Sequence, residues 1–131
     1  MISRRHFLAA TAATTFAGIA APALAAEKLA FDAGAFAAAQ KAGRAILVEV
    51  SAPWCPTCQA QKPILDGLYS KPELKGLVVF EVDFDSRKDV LRALNVRQQS
   101  TLIVFRGATE MGRSVGDTNP ASIAALLGKL A

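Results

Sequence analysis

An α/β fold, a mixed central sheet of four to five strands flanked by helices, is predicted by three features of this 131-residue sequence. Short, almost continuous apolar runs recur at Ala45–Ser51, Gly76–Asp83 and Thr101–Phe105, the pattern of strands covered on both faces. Helical patterns separate the runs, as a parallel sheet requires. A polar strand near Glu110–Val115 and a closing helix then add an antiparallel hairpin to the sheet.

The first residues are set apart from that fold. Ser3, Arg4, Arg5, Phe7 and Leu8 precede a weakly apolar Ala/Thr-rich run that ends in Ala23-Leu24-Ala25, a small-residue cleavage signature. Paired arginines in this frame resemble a bacterial twin-arginine export signal. The expected division is a signal peptide over 1–25 and one domain over 26–131, placed in the periplasm. The leader is too poor in Leu, Ile and Val for a membrane span. Its removal takes away Arg4 and Arg5 and lowers the formal charge from +4 to +2. No Lys/Arg cluster is left, so no nucleic-acid partner is expected. His6, the only histidine, leaves with the leader, and mechanisms that need a histidine base leave with it.

Each element of the domain has its local reason. Lys28–Phe31 reads as an edge strand. Asp32 caps a helix that runs to about Ala42, with Phe36 inward and Gly43 as its stop. The Ala45–Ser51 strand leads straight into Trp54-Cys55-Pro56-Thr57-Cys58 and a helix from Cys58 to about Tyr69. Pro63 removes one hydrogen bond from that helix. Ser86 caps a helix through Ala93 and Leu94. Gly107 turns the hairpin, and Asn119 with Pro120 opens the last helix, Ala121–Leu130.

Both cysteines of the chain, Cys55 and Cys58, lie in one motif. As a structural staple they would close too short a loop to constrain much of the chain. A zinc site wants four ligands, and the domain has no second cysteine pair and no histidine. At a helix N-terminus, unsatisfied N–H groups favour a thiolate on Cys55, and one turn on Cys58 can reach it. A thiolate with a resolving partner is the apparatus of disulfide exchange. Glu49, a carboxylate in an apolar strand, must pair, find water or stay neutral.

These residues resemble the thioredoxin family. The resemblance rests on Ile46 to Leu65 with Pro63, on Val79–Asp85, on Ser100–Phe105 and on Ser114-Val115-Gly116, and it spans about Lys28 to Ala131. It implies a thioredoxin fold and thiol–disulfide oxidoreductase activity, with a Cys55–Cys58 redox disulfide and no other cofactor. Cys55 would be the exposed nucleophile, Cys58 the buried resolving thiol, and Glu49 the buried acid that helps deprotonate it. Trp54, Pro56, Thr57, Gln99 and Ser100 would meet the substrate. Protein disulfides would be the partners of a monomer, with a membrane reductant behind it and a reductive or isomerising direction.

Two departures stand out. Glu81 occupies a position where the family often has lysine, either near Glu49 or facing solvent. Ser100 replaces the family's cis-proline. The Gln99–Ser100 bond is expected to be trans, and its N–H or hydroxyl to reach the Cys55 thiolate. An alternative reading is a metal- or iron–sulfur-cluster-binding carrier, or a partner-binding module without turnover.

Overall fold

The computed structural model describes residues 26–131 and Gly18; the leader, and with it the expected cleavage site, otherwise lies outside the described residues. Strand β2 (Ala45–Ser51) is the centre of the molecule, because its alternate side chains are apolar on both faces. It pairs in parallel with β3 (Val78–Asp83) and antiparallel with β4 (Thr101–Arg106). Strands β1 (Glu27–Ala30) and β5 (Thr109–Val115) add to the two sides, giving the order β1-β3-β2-β4-β5. The predicted mixed sheet thus has five strands.

Helices cover both faces. On one, Ile46, Val48, Val50 and Phe80 pack with α1 (Ala33–Lys41) and α3 (Lys88–Ala93). Phe36 is the hub of an aromatic group there, with ring centroids 5.1 Å from Phe31 and 5.5 Å from both Phe80 and Phe105. On the other face, Leu47, Val79, Leu102 and Val104 pack with α2 (Pro56–Tyr69) and α4 (Pro120–Gly128). Each fully buried aliphatic or aromatic side chain contributes about 1.5–3 kcal/mol relative to exposure. That two-sided burial holds β2 and its C-terminal motif in place.

The local signals resolve as follows. Asp32 caps α1, its Oδ2 accepting the Ala35 N–H at 2.8 Å. Asn119 caps α4 through the N–H groups of Ala121 and Ser122. Gly107 has φ 58°, and a Cβ there would lie 3.1 Å from the Gln40 carbonyl oxygen, so glycine alone fits the hairpin turn against α1. Ser86 is not a cap: Arg87 is the residue at the N-terminus of α3, with no side-chain capping bond. Asp83 takes the turn instead, accepting from the N–H groups of Asp85 and Ser86. Asp83 Oδ1 thereby holds an Asx-type turn just before α3. Helix α2 starts at Pro56, earlier than Cys58, and a single 3-10 turn at Pro72–Leu74 follows it.

Candidate active site

The site is built where β2 ends and α2 begins. Cys55 is the N-cap of α2, in extended conformation, and its Sγ accepts the Cys58 N–H at 3.1 Å. Pro56 occupies the first turn, where its missing N–H leaves no bond unmade. Cys58 is one turn further, beneath Ala52 and Phe84. Both sulfurs are reduced in this structure.

Ser100 closes the site from the β4 side. Its Oγ lies 3.2 Å from Cys55 Sγ and 3.0 Å from Cys58 Sγ, so one hydroxyl spans the pair. No cis peptide occurs among the described residues, and the Gln99–Ser100 bond is trans. The Ser100 N–H does not reach a sulfur; it donates to the Val50 carbonyl at 2.8 Å. Its carbonyl accepts from the Gly116 N–H at 3.0 Å. These ties hold Ser100 at φ 61°, a left-handed conformation that costs a non-glycine residue about 1–3 kcal/mol. Proline, fixed near φ −65° and lacking N–H, fits neither the conformation nor the bond to Val50. The replacement is therefore a rebuilt loop rather than an exchanged side chain.

The two thiols are pushed apart in acidity. Burial raises the Cys55 thiol, but hydrogen bonds from Cys58, Ser100 and the first amides of α2 outweigh it and bring Cys55 below its ordinary value. Burial also raises Cys58, and its bond to Cys55 adds to that, so it stays a thiol near neutrality. Cys55 is only 1 % exposed, which corrects the expectation of an exposed nucleophile. The donors that stabilise its charge also draw the sulfur inward.

Glu49 is buried on the α2 face of the sheet, where the Tyr69 hydroxyl donates to its Oε2 at 3.1 Å. Burial raises its carboxyl above the usual carboxylate range, with Lys28 and Tyr69 opposing. Glu81 is its register partner on β3 but reaches solvent, paired with Lys28 at 3.2 Å. Trp54 is exposed and pinned by its indole N–H to Asp85 Oδ2 at 2.7 Å. Pro56 is exposed, while Thr57 and Gln99 are half-buried.

Three members of the site were not anticipated. Tyr69 and Lys28 come from the far end of α2 and from β1, and no spacing in the sequence links them to Glu49. Gln61 was legible: it lies three residues after Cys58 and so shares its helix face. Fully buried, it donates to the Asp117 carbonyl at 2.7 Å and the Ser100 carbonyl at 3.4 Å.

Residues 28–129 match the family model for thioredoxin. This chain belongs to the thioredoxin family. Among its relatives, the thioredoxin of Echinococcus granulosus is 32% identical over 96 residues, 73% of this chain and 87% of that protein. Thioredoxin Asp f 29 of Aspergillus fumigatus is 31% identical over 87 residues, 66% of this chain and 79% of that protein. The crystal structure of Trxlp from Edwardsiella tarda EIB202 superposes with a TM-score of 0.75 at 40% identity, covering 77% of this chain and 98% of that one. Fold and relatives agree with the dithiol: the chain is a thiol–disulfide oxidoreductase with the thioredoxin fold.

Proposed function

We propose that this chain is an exported enzyme that reduces or isomerises disulfides of other proteins. The observation that carries the reading is the unequal thiol pair, a Cys55 sulfur stabilised by Ser100 and the Cys58 amide beside a Cys58 that keeps its proton. Cys55 thiolate attacks a substrate disulfide and expels one substrate thiolate. Cys58 then attacks Cys55 Sγ, the second substrate sulfur leaves, and the Cys55–Cys58 disulfide remains. Glu49 touches neither sulfur, since its hydrogen bond goes to Tyr69, and it bears on this step only from its buried place behind the motif.

The substrate lies, in this reading, across Trp54, Pro56, Thr57, Gln99 and Ser100. The backbone N–H and carbonyl of Gln99 have no partner among the described residues, which suits pairing with an extended peptide. A cavity of about 440 Å³ lined by Arg97, Gln98, Thr101 and Val115 continues from that edge. The leader carries the protein to the periplasm, where it works as a monomer and a membrane protein returns its electrons. No group of three or more His, Cys, Asp or Glu side chains that could hold a metal occurs among the described residues.

Insulin reduction by dithiothreitol tests the reaction: the protein accelerates it and Cys55→Ser does not. An inactive wild type, or an active Cys55→Ser, refutes it. Fusing residues 1–25 to a reporter that works only after export tests the address; replacing Arg4 and Arg5 by lysine is expected to retain the reporter inside.

A further inference from the structure

We propose that the Ser100 hydroxyl is a catalytic group of this centre, carrying the proton that Cys58 loses when it resolves the mixed disulfide. The inference rests on the exchange reaction above and assigns its proton path. Ser100 Oγ is buried, at 3.0 Å from Cys58 Sγ and 3.2 Å from Cys55 Sγ. A hydroxyl donates one proton and accepts through its lone pairs, so it accepts from the Cys58 S–H while its own hydrogen faces Cys55 Sγ, the atom that carries the substrate sulfur in the mixed disulfide. Its main chain is committed elsewhere, to Val50, Gly116 and Gln61, and those bonds hold the residue in its left-handed conformation. Only the side chain is free to serve the sulfurs. The Glu49 carboxylate is engaged by Tyr69 instead, so the polar group in contact with the Cys58 proton is Ser100.

The step balances without a further reagent. In the mixed disulfide, Cys55 Sγ is bonded to the substrate sulfur. Cys58 Sγ attacks Cys55 Sγ; the bond between the two cysteines forms and the bond to the substrate breaks. The Cys58 proton passes to Ser100 Oγ as the Ser100 hydroxyl proton passes to the departing sulfur. The substrate leaves as a thiol with the electron pair of the broken bond, the enzyme dithiol is oxidised to a disulfide, and Ser100 is regenerated.

Single-turnover reaction of the reduced full chain with oxidised glutathione, stopped in acid at intervals, separates the two releases of glutathione by mass. Ser100→Ala and Ser100→Gly both lack the hydroxyl, but only glycine relieves the left-handed strain, so the pair separates hydroxyl from backbone. Both are expected to accumulate the glutathione adduct, with resolution slowed roughly 10²-fold at neutral pH. The deficit shrinks as pH rises, because Cys58 then ionises to solvent unaided. Wild-type resolution by either variant, or a deficit independent of pH, overturns the assignment. A wild type that forms no adduct refutes the exchange reading itself, and that failure is read from the first release rather than the second.

Discussion

Burial makes the Glu49 carboxyl harder to ionise than a carboxyl in the unfolded chain. Its folded pKa therefore stands above the unfolded one, and the folded state holds more protons between the two values. Stability falls as pH rises through that window and stays reduced above it. Lys28 and Lys62 oppose the shift, while Glu81 adds to it. Glu49→Gln keeps an acceptor for the Tyr69 hydroxyl and removes the charge. It is expected to melt above the wild type at pH 8 and to lose that advantage below pH 4. For a domain of this size, each kcal/mol gained corresponds to about 4–8 °C. Thermal melts across that range decide it, and a constant offset between the two proteins contradicts the argument. That Glu49 is anomalous was readable from one charged residue in an apolar strand. Its partners were not, since Tyr69 and Lys28 meet it only through the packing of α2 and β1 on β3.

Helix ends show where sequence speaks plainly. Asp32 and Asn119 were legible as caps because a cap bonds amides only two or three residues away. At α3 the same logic places the cap on Ser86, but the helix begins one residue later, after an Asp83 turn that takes up the Asp85 and Ser86 amides, and Arg87 stands at its N-terminal end without a side-chain capping bond. The cap of α2 is the instructive one: Cys55 occupies it with sulfur as acceptor, so the element's own hydrogen-bond deficit tunes the nucleophile. Asn119 has no such second task. Its Oδ1 accepts the Ala121 N–H at 2.8 Å and the Ser122 N–H at 3.2 Å, leaving both unpaired on truncation. Asn119→Ala is expected to lose about 1 kcal/mol of stability. Equilibrium unfolding in urea measures this as a lower midpoint at unchanged slope; an unmoved midpoint would show that α4 is held by its apolar face alone.

Across the whole molecule, folding and redox state are linked, because the dithiol interacts with both halves of the sheet. Forming the Cys55–Cys58 disulfide constrains the unfolded chain, but so short a loop yields only about 2 kcal/mol. Oxidation also abolishes the Ser100 bonds to the two sulfurs and the charge on Cys55: the bond to charged Cys55 is worth about 1.5–3 kcal/mol and the bond to the neutral Cys58 thiol about 0.5–1.5 kcal/mol. Losses exceed the gain, so the reduced protein is expected to unfold at the higher temperature. By the thermodynamic cycle, each 1.4 kcal/mol of that difference places the folded dithiol about 30 mV above an unfolded one. A folded protein that holds on to its reduced form gives up electrons less readily, which within the proposed function favours isomerisation over net reduction. Parallel melts of the reduced and oxidised forms test the sign, and Ser100→Ala should narrow the gap. An oxidised form that melts higher would mean that loop closure outweighs the hydroxyl bridge, and the balance would then tip towards reduction.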